Sequence, residues 1–243
     1  MNVVCLTGGW NCKKLLPYFL RHYETFCDKI VFLDFMSDDG TQEIAQSCPV
    51  VEFRQVGKPY VIDIFEGTKW ANEAYKEFRG VADWVLLPTT DEFLYAKEGM
   101  RNVLQDYLDK GVTYPEVTGY NMFHDEPPDT DKQLWEVYKF GVPHTMFNKR
   151  IVFSPELTEM NYCHGLHWAG PTGNVVSSNE HEIKLLHYRY WGYADLVELH
   201  LKLWEASSQF NKDGGFGGYN PKGDGFHTIP WWEEEKAKRT EVI

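Results

Sequence analysis

The chain lacks a disulfide pattern, an excess of basic residues and a long apolar run. Its five cysteines are an odd, scattered set without a C-x-x-C pair, which favours a reducing compartment. With 24 Lys plus Arg against 36 Asp plus Glu, the formal net charge of -12 makes nucleic acid an unlikely main partner. No run approaches the ~18 apolar residues of a membrane span, and the first apolar stretch is too short for a signal peptide. We therefore expect a cytoplasmic protein without a membrane span.

What the first hundred residues do have is an alternation of strand-like and helix-like patterns. Strands are predicted at residues 2–7, 29–34, 50–56 and 84–87, and helices from residue 15, with Asn11 as the expected cap, and at 42–47 and 64–78. This spacing predicts an α/β fold with a mostly parallel central sheet flanked by helices. After about residue 99 the elements become shorter and mixed, with a long helix expected at 194–210. Without a linker or an internal repeat, residues 1–243 are predicted to form a single domain.

Two of the apolar strands end in carboxylates. The run KIVFLDFMSDDGT leads into Asp34 and Asp38, and DWVLLPTTDEFLY leads into Asp91 and Glu92. Ligands of open α/β sheets bind at such strand ends, and hard carboxylate oxygens suit a Mg²⁺ or Mn²⁺ ion that neutralises a diphosphate. The structural alternatives are a helix-capping turn for the first motif and a solvated surface turn for the second. The residues alone leave both interpretations open.

Histidines are concentrated in the second half of the chain. His187 follows an apolar strand-like run and is placed to reach a metal ion held by Asp91. Together with His164 and His167 it leaves a zinc site as an alternative, although no H-E-x-x-H helix and no cysteine partners accompany them. A histidine considered singly is more often a hydrogen-bonded structural residue than a ligand.

Two features near the C-terminus can each be interpreted in two ways. The Gly-rich segment 214–225 lacks the G-K-[ST] of a phosphate-binding loop, so a lid over bound substrate and a disordered tail both stay open. The pair Trp231–Trp232 is expected to pack against the protein, with an acceptor platform as the alternative.

Several motifs in a fixed order carry a family resemblance. They are LPYFLRHY, VFLDFMSDDGT, DWVLLPTTDEFLY, NKRIVFSP, a Gly-x-His at Gly165 to His167, and LLHYRYW. Over residues 2–202 this order resembles a family-2-type glycosyltransferase of the GT-A fold, more narrowly its small branch with an HY motif. The resemblance implies a Rossmann-like nucleotide-sugar-binding half at 1–98 and an acceptor-binding half at 99–243, with a C-terminal helix and Gly-rich tail. It also implies a nucleotide-sugar donor, usually with uridine diphosphate, and a Mn²⁺ or Mg²⁺ ion.

The resemblance also implies roles for individual residues. Thr7 and Asp34 would approach the base and ribose of the donor, with Asp38 nearby. Asp91 would bind the metal ion as the surviving carboxylate of a D-x-D motif, and His187 would be the C-terminal metal or diphosphate ligand.

The chain departs from the family pattern at Thr89, so the motif reads T-x-D, and at FHDEP, which points to a different acceptor. The expected activity is transfer of a sugar from a nucleotide diphosphate to an acceptor hydroxyl, for example of a glycan. Asp125 is the first candidate for the catalytic base and His167 the second.

Three other functions are weighed against transfer. A non-catalytic nucleotide-sugar or glycan-binding protein on the same scaffold is favoured by Thr89. A nucleotidyltransferase needs a basic Gly-rich loop after the first strand, and Gly8-Gly9-Trp10 does not supply one. A zinc hydrolase built on the late histidines is the remaining alternative.

Overall fold

The computed structural model describes residues 1–56, 61–157, 159–216 and 228–243. Within them lie two five-stranded sheets with helices around them. The strands are β1 Val3–Gly9, β2 Lys29–Asp34, β3 Val51–Gln55, β4 Trp84–Leu86, β5 Glu92–Tyr95, β6 Tyr114–His124, β7 Phe140–Pro143, β8 Val152–Phe153, β9 Ser177–Trp191 and β10 Thr240–Glu241. The α-helices are α1 Leu16–Tyr23, α2 Thr41–Ser47, α3 Ile64–Ala74, α4 Met100–Asp109, α5 Leu134–Val137, α6 Tyr193–Ala206, α7 Gln209–Gly214 and α8 Ile229–Ala237.

The first sheet has the strand order β3-β2-β1-β4-β8. Its first four strands are parallel, and β8 pairs antiparallel with β4. Ile30, Val31 and Phe32 are all buried, as expected for parallel strands that are covered on both faces. The order β3-β2-β1-β4 is that of a Rossmann-like sheet, so the predicted mostly parallel α/β architecture is confirmed.

The second sheet is mixed and has the order β10-β7-β6-β9-β5. Only the β6–β9 pairing is parallel; the other three are antiparallel. The long strand β9 lies between β5 and β6, and its register sets Glu92 opposite His187 and His187 opposite Asn121. Because β5 follows β4 after a short connection, that connection carries the chain from one sheet to the other. The mixed second half is as predicted.

Two local predictions are wrong. Asn11 does not cap α1: it has a left-handed backbone (φ 53°), and its side chain bonds Asp38 instead. The helix predicted at 194–210 is two helices, α6 and α7. Ser207 is extended between them (ψ 140°), and the hydroxyl of Ser208 accepts a hydrogen bond from the backbone N–H of Asn211. A serine that caps a new helix in this way competes with continuation of the old one.

A large hydrophobic core is shared by both sheets. A smaller cluster of Phe123, Tyr190, Leu196 and Trp232 joins α8 to β6, β9 and α6. Trp232 is 2% exposed, which confirms the packing predicted for the tryptophan pair at this residue. The five cysteines are free.

Residues 217–225, most of the predicted lid, lie outside the described residues. In the part of the chain that the structure covers, none of the helices has both the length and the apolar character to traverse a bilayer.

Candidate functional site

Asp91 lies where the chain passes from β4 to β5 and is 8% exposed. Its Oδ1 accepts a hydrogen bond from the Thr89 hydroxyl (2.6 Å), and its Oδ2 accepts one from Nε of Arg189 (2.9 Å). The Nε2 atom of His187 lies 3.3 Å from the same Oδ2. Burial would raise the pKa of Asp91, but the Arg189 guanidinium and His187 hold it well below the usual carboxyl range. The carboxylate is therefore ionised at neutral pH.

His187 is held from its other side by Asn121. Its Nδ1 lies 2.8 Å from the Asn121 Oδ1, and its ring stacks on Phe147 with the centroids 4.0 Å apart. Burial lowers the pKa of His187 even though Asp91 opposes the shift, so the ring is neutral at pH 7. The neutral ring carries one proton, which it donates either from Nε2 to Asp91 or from Nδ1 to Asn121, depending on the tautomer. In the second tautomer the lone pair of Nε2 faces the Asp91 carboxylate, and the two atoms can bind one cation together.

The Asp91–His187 pair fits a divalent metal ion. Carboxylate and imidazole both ligate such ions, and a ligating histidine usually donates its second ring N–H to an oxygen acceptor, for which the Asn121 Oδ1 is in place beside His187 Nδ1. Thr89 contributes a hydroxyl where a second carboxylate is expected, and Arg189 shares Oδ2 of Asp91. Protein ligands are therefore few, and part of the negative charge is already balanced.

Glu92 forms a second ion pair beside Asp91. Its Oε1 lies 2.5 Å from Nζ of Lys149, with Glu92 1% and Lys149 6% exposed. Its Oε2 accepts a hydrogen bond from the backbone N–H of Thr89 (3.0 Å). Glu92 thus stabilises the turn that positions Asp91.

Sequence reasoning missed the two cations of this site. Arg189 was detectable, because residues two apart on a strand share a face and His187 was already a candidate. Lys149 had no comparable signal, since its approach to Glu92 depends on the pairing of β8 with β4.

A cavity of about 760 Å³ opens beside these residues, in the size range of small-molecule sites. Thr89, Glu92, His167, His187 and Arg189 are among the residues that line it. A smaller cavity of about 450 Å³, next to Trp135, is lined by none of the predicted site residues. The larger cavity is therefore the candidate site.

His167 enters this cavity as a neutral base. Its Nδ1 lies 2.8 Å from the Met146 carbonyl oxygen, which can only accept, so Nδ1 carries the proton and Nε2 has a free lone pair. Burial and the nearby Lys149 lower the pKa of His167. It is therefore unprotonated at neutral pH.

The structure provides no support for zinc at the late histidines. His164 also lines the cavity and packs edge-on against Phe65, with the centroids 4.3 Å apart. Among the described residues, the trio of side chains close enough to share a metal ion is Asp106, Glu180 and His181. Lys110 forms ion pairs with both of its acids.

Asp125 is not among the residues that line the cavity, and neither are Thr7, Asp34, Asp38 and Asp91. Its carboxylate forms ion pairs with Lys236 and with Arg239 (3.8 Å to the latter), and the side chain is half exposed. The hydrogen bond from Lys236 is the main reason why its pKa lies below the ordinary value. In this structure Asp125 anchors the C-terminal segment.

Thr7 lies two residues before the end of β1 and is 2% exposed, and Asp34 is the last residue of β2 and is 0% exposed. Within the described part of the chain, Thr7 Oγ1 and Asp34 Oδ1 have no hydrogen-bond partner. The other oxygen of Asp34 accepts from the Ser37 backbone N–H and from the Gln42 amide, both at 3.2 Å. Buried polar atoms without partners are uncommon and are candidates for ligand contact.

Gly9, which lies opposite Asp34 in the β1–β2 pairing, is in close contact with Cys12 and near Thr90, so the two carboxylate-bearing strand ends lie close to each other. Burial of the Cys12 thiol, followed by the nearby carboxylates of Asp39, Asp91 and Asp34, raises its pKa to about 12. Asp38 is exposed and exchanges hydrogen bonds with Asn11 (2.9 and 3.1 Å), which ties its turn to the loop after β1. Asp34 and Asp91 are therefore brought together, while Asp38 has a structural partner.

Similarity to known proteins is found among solved structures. No protein-family profile and no curated protein matches this chain. Among solved structures it is similar to mannosyl-3-phosphoglycerate synthase from Rubrobacter xylanophilus, with 18% identity over 56% of this chain and 44% of that one and a TM-score of 0.36. It is also similar to a protein from Desulfovibrio desulfuricans G20, provisionally named a nucleotide-diphospho-sugar transferase. Here the identity is 16% over 50% of this chain and 59% of that one, with a TM-score of 0.30.

The aligned regions span about half the length of those two proteins. At these identities and TM-scores, neither similarity decides what this chain does. The residues around Asp91 therefore carry the functional argument.

Proposed function

We propose that the chain is a glycosyltransferase of the GT-A type that transfers a sugar from a nucleotide diphosphate donor, such as a UDP-sugar, to an acceptor hydroxyl of a glycan. The observation that carries the proposal is the ionised, buried Asp91, whose partners His187 and Arg189 line a cavity large enough for such a donor. Five free thiols are in keeping with a cytoplasmic location.

Donor binding is assigned to both strand ends. The open oxygens of Thr7 and Asp34 would hydrogen-bond the base and ribose, with Asp38 at the edge of that site. Because the strand ends that carry Asp34 and Asp91 lie close together around Gly9, a nucleotide on the first would direct its diphosphate toward the second. Arg189 supplies a fixed positive charge there.

Asp91 and His187 would hold Mn²⁺ or Mg²⁺. A bound ion of this kind neutralises the charge of a departing diphosphate. Asn121 orients His187, and the Glu92–Lys149 pair stabilises the turn that carries Asp91. These contacts preorganise the site before the donor arrives.

His167 is the proposed base, in preference to Asp125. As the acceptor oxygen bonds to the anomeric carbon of the donor sugar, the bond from that carbon to the diphosphate oxygen breaks. The hydroxyl proton then passes to the free Nε2 of His167. Its lowered pKa keeps this nitrogen unprotonated at neutral pH, and the Met146 carbonyl orients the ring.

The test starts with thermal shifts of the whole chain against a panel of nucleotide sugars with and without Mn²⁺. Release of the nucleoside diphosphate is then measured for the donor that binds. His167→Gln is expected to lower turnover roughly 10²–10⁴-fold. His164→Gln, which also lines the cavity, is the matched control and is expected to keep most of the turnover. Full turnover of the His167 variant would remove the histidine from this role.

A non-catalytic nucleotide-sugar binder stays as the second candidate, favoured by Thr89 and by the balancing of Asp91 by Arg189. Such a protein would show the thermal shift without nucleotide release, whichever glycan is added.

A further inference from the structure

Trp231 and Glu235 of α8 form one face of the large cavity. Both line it, and residues four apart on a helix lie on the same side. The adjacent Trp232 is buried against Phe123 and Tyr190, with centroid distances of 5.4 and 6.2 Å. Because neighbouring helix residues point in different directions, this burial fixes how α8 is rotated. The rotation turns Trp231 and Glu235 toward the cavity.

Independent contacts hold α8 in this position. Lys236 pairs with Asp125, and Arg239 donates a hydrogen bond to the Phe123 carbonyl (3.3 Å). Beyond the helix, β10 pairs with β7, and the Val242 backbone N–H donates to the Lys139 carbonyl (2.8 Å). The face that α8 presents is therefore preorganised rather than assembled by a ligand.

The chemistry of this face is that of a sugar-binding surface. Trp231 lies beside Tyr190, with the centroids 6.0 Å apart at 57°, and both line the cavity. Aromatic rings offer an apolar face to the C–H side of a sugar ring. The Glu235 side chain is 22% exposed and forms an ion pair with Lys238 (2.7 Å). A carboxylate has about four lone-pair sites, so Glu235 can also accept hydrogen bonds from sugar hydroxyls.

We propose that α8 carries the acceptor subsite, in which a pyranose ring of a glycan stacks on Trp231 and donates hydroxyl hydrogen bonds to Glu235. This inference rests on the proposed transferase function and names its acceptor class. The subsite lies on the same cavity as His167, which would receive the acceptor proton.

The experiment measures saturation-transfer NMR on the whole chain with three probes: the methyl glycosides of mannose, glucose and galactose. At least one is expected to receive saturation on the C–H protons of one ring face. Trp231→Ala is expected to weaken binding of that glycoside roughly tenfold, the size of one aromatic contact. Glu235→Gln is expected to weaken it several-fold, and the exposed neighbour Glu234→Gln is the matched control that leaves it unchanged.

The variant Trp231→Phe controls for loss of packing. Its smaller ring still contacts Tyr190, so it should retain part of the saturation-transfer signal of the glycoside. Equal binding by wild type and Trp231→Ala, or no glycoside binding by wild type, would overturn the subsite. The thermal-shift panel separates the two proposals. A donor shift without glycoside binding overturns only the subsite. Trp231-dependent glycoside binding without any donor shift would show a sugar-binding face on α8 and would overturn the transferase together with the acceptor role of that face.

Discussion

The ends of β2 and β4 look alike in sequence and differ in structure. Asp34 and Asp91 are both buried beside apolar parallel strands. Asp34 receives hydrogen bonds from neutral donors only and keeps one oxygen open, within the described residues. Asp91 faces His187 and the cation Arg189, which come from β9 of the second sheet. The difference follows from strand neighbours, because β2 lies between β1 and β3, whereas the chain leaves β4 to join the other sheet.

Because the ends of β2 and β4 differ in this way, substitutions at the two ends are expected to have unequal effects on stability and activity. The largest effect is expected from Lys149→Met, which leaves the 1%-exposed Glu92 without its cation. Removing one partner of a buried pair costs about 3–5 kcal/mol in the free energy of unfolding. Urea unfolding at pH 7 measures it.

The double variant Lys149→Met, Glu92→Gln is the control, since removing both charges should restore part of the lost stability. A single variant as stable as wild type would show that this pair does not stabilise the β4 end.

Asp91→Asn is expected to lower kcat/KM for the donor roughly 10²–10³-fold, because a fixed charge that orients the diphosphate site is lost. Any stimulation by Mn²⁺ should disappear with it. Initial rates with and without the ion measure both effects. Asp109→Asn, at an exposed carboxylate at the end of α4 that lines neither cavity, is the matched control, and an equal loss there would contradict the role of Asp91.

His22 of α1 is buried against β5, with Nε2 2.8 Å from the Leu94 carbonyl oxygen. Burial lowers its pKa from 6.5 to about 4. Between these values the unfolded chain binds the proton and the folded one does not, so stability falls as the pH drops through this range. Over the full range the loss reaches about 3 kcal/mol. Urea unfolding of His22→Asn at pH 7 and pH 4.5 should show a smaller difference than wild type.

Asp34→Asn is expected to have the smallest effect. It replaces one oxygen of a carboxylate that has no charged partner in the structure described here, and should raise the KM for the donor about tenfold, or about 1.4 kcal/mol. Initial rates over a range of donor concentrations measure both constants. A fall in kcat rather than a rise in KM would place Asp34 at the reacting centre, and Asp34 and Asp91 would then not differ in role.

Some of the site was predictable because it depends on local pattern. Apolar runs that end in acidic residues pointed to Asp34 and Asp91, and the apolar run before His187 pointed to the strand that carries this histidine. The two wrong predictions were also local, since Asn11 bonds a neighbouring loop and Ser208 starts a new helix. Competing side-chain bonds of this kind are weak signals in a sequence.

By itself the sequence determined the Rossmann-like order of strands and helices, because the periods of apolar residues follow from which faces are buried. Only the tertiary structure decided which charges meet. The pairing of β5 with β9 sets His187 opposite Glu92, the approach of Lys149 balances that acid, and α8 turns Trp231 into the cavity. Such contacts join residues far apart in the chain, and their register depends on the packing of the whole molecule rather than on any local pattern.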